Sequence, residues 1–322
     1  MHDTEAFNTQ PQVKRKRLNV LPPNPQQQED APLGRFPSWL HRKLPTGNHL
    51  QQTGSLLNSQ RLHTVCEEAK CPNRWECWSR QTATFLVMGK ECTRACGFCD
   101  IATSTTPPPL DADEPRRVAE SAKALGLSHV VVTMVARDDI ADGGAAHIAQ
   151  VVAEIRKLSP NSTVELLTSD LGGSEAAWNT VLAAQPEIFN HNIETVRTLT
   201  PRVRHKATYD RTLSLLAYTK KHKQTPNMFV KSGIMVGLGE TEDEVFATLH
   251  DLKNAGCDIV TIGQYLQPNH RKLLVKAFVP PEQFECYANY GRSIGIPHMY
   301  CGPFVRSSYN ADLVLKAVTQ TK

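Results

Sequence analysis

Residues 82–99 read TATFLVMGKECTRACGFC, an apolar run that leads directly into three closely spaced cysteines. The run Thr82–Met88 has the length and composition of a buried β-strand. The loop after it carries Cys92, Cys96 and Cys99, separated by three and then two residues. Three thiolates on one loop can face a single metal centre, and three ligands on a four-iron cubane leave one iron open to a substrate or cofactor. The stretch therefore predicts a metal centre at the carboxyl end of a buried strand.

Zinc is the alternative occupant of these thiols. Structural zinc sites favour paired cysteines two residues apart, with a fourth Cys or His nearby, and residues 82–99 lack that complete arrangement. An iron–sulfur cluster is therefore the favoured interpretation.

The alternation of apolar strands and helical patterns continues along the chain. Predicted strands cover Thr82–Met88, His129–Val135, Thr163–Thr168, Glu187–Asn190, Met228–Val236 and Asp258–Tyr265. Predicted helices cover residues 114–125, 143–158, 174–184, 209–222 and 241–255. Nearly continuous apolar strands joined by helices are typical of a parallel sheet in an α/β fold. Six such units predict a partial (β/α)6 TIM-type barrel with chemistry at the carboxyl ends of its strands, although periodicity alone also allows a doubly wound sheet.

A second group of cysteines precedes the first strand. Cys66, Cys71 and Cys77 follow one another with four and then five residues between them, among polar and charged neighbours. The chain has nine cysteines, an odd number, and six lie within residues 66–99, which is unlike a secreted disulfide framework. This triplet predicts a second cluster. The remaining three lack such spacing and are expected to be free buried thiols: Cys257, Cys286 and Cys301.

Composition limits the classes of function. The chain has 322 residues, 40 % hydrophobic and 21 % charged, which is enough for a sizeable core. A net charge of +4 is less than a dedicated nucleic-acid binder usually shows, and it suits an acidic protein partner. No apolar run approaches 18 residues, so no membrane association is expected. The sequence shows no secretory signal, and Asp3 and Glu5 argue against a mitochondrial transit peptide, so a cytoplasmic location is predicted.

Four regions are expected along the chain. Residues 1–34 form a disordered proline-rich tail, whose basic run at 14–17 is interpreted as solvated. Residues 35–80 form an N-terminal extension that carries the second cysteine triplet. Residues 81–275 form the partial barrel, and residues 276–322 form a C-terminal extension.

The cysteine spacing and several other motifs resemble a known family. Cys92-x3-Cys96-x2-Cys99, with Phe98 before the last cysteine, resembles the signature of the radical S-adenosylmethionine (SAM) superfamily. Together with Cys66, Cys71 and Cys77 it is similar to lipoyl synthases, and the resemblance covers roughly residues 35–315. Further matching stretches are Arg137-Asp138-Asp139, Asp142-Gly143-Gly144, Phe189–Thr195, Lys231–Glu240 and Arg306-Ser307-Ser308-Tyr309. One departure is Met134-Val135-Ala136, where the family pattern has Ser-Val-Asp, so Ala136 is assigned no polar role.

The resemblance implies a specific reaction. Two sulfur atoms would be inserted at carbons 6 and 8 of an octanoyl group, carried on a lysine of a lipoyl carrier domain. It implies S-adenosylmethionine and two 4Fe-4S clusters, the second of which is the sacrificial sulfur donor. It also implies that a serine completes the second cluster, and alignment favours Ser308, although a turn or helix cap is the structural alternative. Implied partners are the E2 subunit of a 2-oxoacid dehydrogenase or the glycine cleavage H protein, and an electron donor such as flavodoxin or ferredoxin.

Polar and glycine residues after the predicted strands are candidates for cofactor contact. Glycines there would let the backbone approach the cofactor, although a glycine after a strand is often only a turn. Side chains at the end of the fourth strand can hydrogen-bond the amino group or the ribose. Arg137 is equally consistent with a cofactor contact and with a structural role in a salt bridge. The predicted cofactor-binding residues are Gly143, Gly144, Asn192, Glu194, Gly237 and Glu240.

Three other classes of protein remain as alternatives. A radical SAM methylthiotransferase would have a C-terminal RNA-binding β-barrel, for which residues 276–322 are too few. A biotin synthase would have a smaller second cluster, with its ligands inside the barrel. A non-catalytic iron–sulfur or zinc protein that binds a partner would not cleave S-adenosylmethionine.

Overall fold

The computed structural model describes residues 36–41, 49–79, 83–309 and 311. The proline-rich segment 1–34 and its basic run lie outside the described residues. The strands are β1 (His63–Thr64), β2 (Thr84–Val87), β3 (Glu91–Cys92), β4 (Ala102–Thr103), β5 (His129–Met134), β6 (Thr163–Leu167), β7 (Ile188–Asn190), β8 (Phe229–Val236), β9 (Ile259–Gln264) and β10 (His298–Gly302). The helices are α1 (His49–Ser59), α2 (Val65–Glu68), α3 (Arg74–Ser79), α4 (Glu114–Ala124), α5 (Ala145–Leu158), α6 (Glu175–Ala183), α7 (Thr200–Val203), α8 (Tyr209–His222), α9 (Glu242–Asn254) and α10 (Pro281–Ser293). Among these described helices, none has the length and apolar character needed to cross a membrane.

Eight strands of the described chain form one sheet, in the order β1-β2-β5-β6-β7-β8-β9-β10. β1 is antiparallel to β2, and every following pair is parallel. From β2 to β10 the spatial order follows the chain order. Because parallel crossovers are right-handed, this order places the connecting helices on one face and winds the sheet in one direction. A doubly wound sheet would reverse at a switch point, so the partial-barrel prediction is confirmed. β1 and β10 do not pair with each other, and the barrel is open in the described residues.

The six predicted strands and five predicted helices are all present, with ends shifted by at most two residues. The strands form because each is short, apolar and buried on both faces; every residue of β5, for example, is buried. Four of the described helices begin at a side-chain cap, at Thr64, Ser174, Thr208 and Thr241. At α9, Thr241 accepts a hydrogen bond from the Glu244 N–H while the Glu244 side chain accepts one from the Thr241 N–H.

The sheet extends beyond the barrel predicted for residues 81–275. β10 adds a further parallel strand after α10, and β1 adds a short strand from the predicted N-terminal extension. The sequence did not predict either strand, because β1 has only two residues and β10 (HMYCG) is mostly half-buried and lacks an apolar run. Both extensions are therefore continuous with the sheet.

The interior of the barrel contains a buried ion pair. Lys231 Nζ lies 2.9 Å from Glu165 Oε1, and both side chains are fully buried. Asn190 Nδ2 donates a hydrogen bond of 2.8 Å to the same carboxylate. Burial alone would raise the pKa of Glu165, but the charges of Lys231 and His129 lower it to about 2. The interior at this level is filled by a buried polar cluster, and open space lies nearer the carboxyl ends of the strands.

Candidate active site

The loop that carries Cys92, Cys96 and Cys99 is fixed by backbone hydrogen bonds to several elements. Within the loop, the Cys99 N–H donates to Cys96 O at 3.3 Å, and the Arg94 N–H lies 3.4 Å from Cys92 Sγ. Outside it, the Thr93 N–H donates to Ala136 O at 3.0 Å, beyond the carboxyl end of β5. The loop is therefore held over the end of the sheet.

Arg94 anchors this loop from within. Its guanidinium donates to both carboxylate oxygens of Asp138 and, at 2.6 Å, to Asp170. Asp170 is fully buried, and Arg211 lies 3.1 Å from its other oxygen. Hydrogen bonds from Arg94 lower the pKa of Asp138 below its ordinary value. The sequence analysis missed Arg94, because its two carboxylates are 44 and 76 residues away.

The thiols themselves lie in a low-dielectric environment. Burial raises the pKa of Cys96 to about 11 and that of Cys99 to about 12. Burial likewise raises the pKa of Cys66 to about 12. A thiol must be deprotonated to bind a metal, so thiolates here require a strongly positive partner such as iron. Within the described residues, no three His, Cys, Asp or Glu side chains converge tightly enough to hold one metal ion.

A cavity of about 460 Å³ opens at the carboxyl ends of the strands, within the usual range for small-molecule sites. Cys92, Cys96 and Cys99 line it. Cys71 and Ser308 line it as well. One space therefore joins the loop after β2 to parts of both extensions.

Asn192 and Glu194, two of the predicted cofactor-binding residues, also line this cavity. Asn192 Nδ2 donates to Glu194 Oε1 at 3.1 Å and to Ser307 Oγ at 3.3 Å. Glu194 has a φ of 69°, in the left-handed region that non-glycine residues rarely adopt and that is common at functional sites. Burial raises the pKa of Glu194 above its ordinary value, and a cationic group beside it would favour the ionised form of this carboxyl.

The cavity also has unsatisfied polar atoms that suit a polar ligand. Asn192 Oδ1 and Thr168 Oγ1 are buried and have no hydrogen-bond partner within the described structure. Gly233 leaves room for Asn192, because a β-carbon there would lie 2.9 Å from Asn192 Oδ1. These atoms fit the amino and hydroxyl groups of S-adenosylmethionine, and the buried carboxylate of Glu194 fits its ammonium group.

His191 and Arg204 complete this wall of the cavity, and the sequence analysis did not single them out. His191 Nδ1 donates to Thr168 O at 2.8 Å, and its Nε2 accepts from Arg204 Nη2 at 3.0 Å. Burial lowers the pKa of His191 to about 3, which keeps the ring neutral and able to accept this bond. Arg204 also donates to Asn192 O. Arg204 thereby holds the backbone that presents Asn192. Two signals were available for His191, its position directly after a predicted strand and its place in the matching stretch Phe189–Thr195.

The other predicted cofactor residues do not line the cavity. Gly143 and Gly144 both have positive φ, and Gly144 begins α5 against the side chain of Met88. The half-buried Glu240 carboxylate accepts hydrogen bonds from the N–H groups of Gly237 and Leu238. These contacts shape two turns. Arg137 pairs with Asp139 at 2.8 Å, the structural alternative given for it above.

A smaller cavity of about 50 Å³ brings together Cys66, Cys71, Cys77 and Ser308. The serine lies 231 residues after Cys77 in the chain, so only the fold makes them neighbours. Cys71 and Ser308 line both this cavity and the larger one. The two triplets therefore face a common region.

Two long-range hydrogen bonds hold the C-terminal segment on the N-terminal extension. Asn73 Nδ2 donates to Phe304 O at 2.7 Å, and the Tyr309 hydroxyl donates to Glu76 Oε1 at 2.8 Å. Glu76 is adjacent to Cys77, and Tyr309 is adjacent to Ser308. This pair of contacts places the serine beside the cysteines.

The other three cysteines lie apart from both cavities. Cys257 is buried and Cys301 is half-buried, whereas Cys286 is exposed on α10. The expectation of a buried thiol at 286 was therefore wrong, because that side chain lies on the outer face of an amphipathic helix whose inner face carries Phe284 and Tyr287.

Residues 86–252, just over half of the chain, match the family model of the radical SAM superfamily. The fold is similar to that of HydG, a maturase of the FeFe-hydrogenase, with a TM-score of 0.55 at 15 % identity over 72 % of this chain and 53 % of that one. It is also similar to methylornithine synthase, with a TM-score of 0.50 at 14 % identity over 74 % and 80 % of the two chains. At these identities the likeness shows the fold alone. Fold and family model together define a radical SAM enzyme.

Residues 8–71 match the N-terminal domain of lipoyl synthase of the radical SAM family. The lipoyl synthase of Protochlamydia amoebophila is 65 % identical over 309 residues, which cover 95 % of this chain and 96 % of that protein. The lipoyl synthase of Chlamydia trachomatis serovar D is 53 % identical over 286 residues, 89 % and 91 % of the two chains. This chain belongs to the lipoyl synthase family and is a sulfur-inserting enzyme. Membership implies a 4Fe-4S cluster and S-adenosylmethionine, and it displaces the three alternative classes.

Proposed function

We propose that the chain carries two 4Fe-4S clusters and inserts sulfur at carbons 6 and 8 of an octanoyl group on a lipoyl carrier domain. Cys92, Cys96 and Cys99 hold the first cluster. Cys66, Cys71, Cys77 and Ser308 hold the second. The observation that carries the proposal is that Cys71 and Ser308 line both cavities, so the sulfur source adjoins the space where the octanoyl chain reacts.

The reaction requires a radical because an alkyl C–H bond offers no acidic proton and no leaving group. When bound, S-adenosylmethionine and the first cluster supply the hydrogen-abstracting radical. The protein supplies binding, orientation and a shielded space. Arg94 keeps the cysteine loop in place, and the apolar side chains of Ile234, Met235 and Leu266 provide cavity wall for an alkyl chain.

Asn192 and Glu194 are proposed to hold the cofactor. The Glu194 carboxylate accepts hydrogen bonds from the cofactor's amino group, in addition to the one that Asn192 donates. Asn192 Oδ1, buried and unpaired within the described structure, accepts from the same group or from a ribose hydroxyl. Gly143, Gly144, Gly237 and Glu240 keep a role through the turns that they shape. Thr168 has an unpaired hydroxyl in the cavity wall within the described structure, and it is a further proposed cofactor-binding residue.

The second cluster acts as a substrate, because the product gains its sulfide. Each lipoyl group requires two sulfurs, and a cubane contains enough for both. Ser308 is the proposed site where the cluster opens, because an alkoxide suits iron less well than a thiolate. The neighbouring Ser307 lines only the larger cavity and contacts Asn192, which supports Ser308 as the ligand.

The proposed partners follow from this chemistry. The octanoyl-lysine arm belongs to the E2 subunit of a 2-oxoacid dehydrogenase or to the glycine cleavage H protein. Flavodoxin or ferredoxin supplies the electrons. Both kinds of partner are expected to be acidic, which complements a chain of net charge +4. A cytoplasmic location stays a prediction from the sequence.

Isotope labelling tests the sulfur source. The enzyme is reconstituted with 34S-sulfide and then incubated anaerobically with unlabelled sulfide in the buffer, reductant, S-adenosylmethionine and an octanoylated lipoyl-domain peptide. Mass spectrometry should find two heavy sulfurs in one product and about one lipoyl group per chain, as one cubane per chain allows. Predominantly light sulfur, or many turnovers without a repair protein, would overturn the sacrificial role.

A further inference from the structure

Two basic segments meet on the backbone of the loop that carries Cys92, Cys96 and Cys99. The first is RVRHK at 202–206, and the second is HRK at 270–272. The Gly97 N–H donates to Val203 O at 2.9 Å, and Gly97 O accepts from the Leu273 N–H at 3.0 Å. Gly97 allows this approach, because a β-carbon there would lie 2.9 Å from the Leu273 side chain. The cations of both segments are therefore fixed next to the cysteine loop.

These cations are exposed and largely uncompensated. Arg202, His205 and Arg271 are exposed, and Lys272 is half-exposed. Within the described residues, no salt bridge involves Arg202, Arg271 or Lys272. The surface therefore keeps an excess of positive charge.

Two carboxylates beside this surface already have partners. Asp100 lies 2.8 Å from Lys70 Nζ and also contacts Asn269. Asp138 is held by Arg94 and lies 3.6 Å from Lys206. Neither acid neutralises the unpaired arginines, so the patch is free to attract an acidic partner.

We propose that this surface, formed by Arg202, His205, Lys206, His270, Arg271 and Lys272, docks a small acidic one-electron carrier protein. The docked protein is oxidised by one electron, the cluster on Cys92, Cys96 and Cys99 is reduced by one electron, and no atoms are exchanged. The inference rests on the proposed first cluster and names the partner surface of that same site.

The position of the patch favours an electron carrier over the lipoyl carrier domain. Ala95, between Cys92 and Cys96, is exposed, so the loop itself reaches the surface. Electron transfer becomes slower with distance and needs a partner close to the cluster. The octanoyl arm, by contrast, must enter the cavity that Cys71 and Ser308 line, and its length allows its domain to dock further away. A weak, charge-steered contact is typical of electron-transfer encounters.

Charge reversal tests the proposal. In the variant Arg202→Glu/Arg271→Glu/Lys272→Glu, we expect 5′-deoxyadenosine formation driven by flavodoxin, its reductase and NADPH to fall about tenfold or more at low salt. The same reaction driven by dithionite should be unchanged, because a small chemical reductant does not need the surface. The matched control is Lys123→Glu/Lys221→Glu/Lys253→Glu, with the same charge change on exposed positions of α4, α8 and α9. It should keep both rates.

Each other outcome has a defined meaning. Equal loss of flavodoxin-driven activity in the control, or none in the variant, overturns the docking surface. If the variant has a raised KM for the lipoyl carrier domain when dithionite supplies the electrons, the patch binds the substrate carrier, and the proposed electron-carrier surface is overturned. If the variant does not fold, the salt dependence of the wild-type enzyme tests the proposal. The flavodoxin-driven rate must then fall with ionic strength, whereas the dithionite-driven rate must not. Absence of dithionite-driven cleavage in the wild type would refute the first cluster itself.

Discussion

The two cysteine triplets differ in how the fold holds them. Cys92, Cys96 and Cys99 lie on one short loop, which is hydrogen-bonded to the segment after β5, to α7 and to Leu273 and is anchored by the buried side chain of Arg94. Cys66, Cys71 and Cys77 lie on an extension and share their cavity with a segment more than 230 residues away. The first arrangement suits a centre that stays intact through every turnover. The second, held across two extensions, suits one that is opened and rebuilt.

The largest effect is expected from removing each triplet in turn. Changing Cys92, Cys96 and Cys99 to Ala should abolish 5′-deoxyadenosine formation, because the cofactor then has no cluster to bind. Changing Cys66, Cys71 and Cys77 to Ala should spare cofactor cleavage and abolish lipoyl formation. Mass spectrometry of both products measures the split, and Cys286→Ala, at an exposed thiol outside both cavities, is the control. Equal loss of cleavage in two folded triple variants would show that the roles are not separate.

A smaller but still large effect is expected from the anchor of the first loop. Arg94→Met leaves the fully buried Asp170 with Arg211 as its remaining ion-pair partner among the described residues. Breaking a buried ion pair costs about 3–5 kcal/mol of unfolding free energy, and because Arg211 remains, the lower end of that range is expected. Bound iron should fall from about eight to about four per chain, as expected if only the first cubane is lost.

Denaturant unfolding and iron analysis check this prediction. The control is Arg116→Met, which removes an arginine from an exposed pair with Asp113 and should change little. Loss of all iron from Arg94→Met would mean that the two sites depend on a common element, contrary to the comparison drawn above.

The smallest effect is expected at the serine that completes the second site. Ser308→Ala should still assemble a cluster on three cysteines, but lipoyl formation should fall about tenfold, in the range typical for residues that support a metal site. Formation of 5′-deoxyadenosine should persist, so the ratio of the two products rises. Ser307→Ala, in the same turn but outside the smaller cavity, should leave that ratio nearly unchanged. The opposite ranking of the two variants would assign the ligand to Ser307.

Much of the barrel could be predicted because its strands are short apolar runs buried on both faces. The pattern of β5, HVVVTM, carries that information within six residues. The sequence did not predict β10, because this strand pairs with β9 along its whole length and the residues HMYCG alone do not reveal that pairing. Local patterns predict strands whose own residues are apolar enough to indicate burial, and they miss strands that depend on pairing with a neighbour.

The same distinction between local patterns and long-range contacts applies to the candidate site. Cysteine spacing is local, so both triplets could be singled out from the sequence. The Arg94–Asp170 pair and the contact of Arg204 with His191 join residues that only the fold brings together. Asn192 and Glu194 line the cavity as their place after a strand indicated, whereas Gly143 and Gly144 follow a strand too but pack against Met88 and Leu171. Position after a strand identifies the correct edge of the sheet, and packing decides which side chains face the cavity.

The separation between Cys77 and Ser308 has a consequence for the order in which the molecule is made. A ribosome that adds about 5–20 residues per second needs roughly 12–46 s to go from one to the other. During that interval the residues of the first site through Arg211 emerge, and they can fold around Arg94 before the serine exists. The second site is necessarily finished later, when the Tyr309–Glu76 contact can form. A newly made chain thus passes through a stage in which the loop of Cys92, Cys96 and Cys99 already has its anchors, while the second site is still missing a wall.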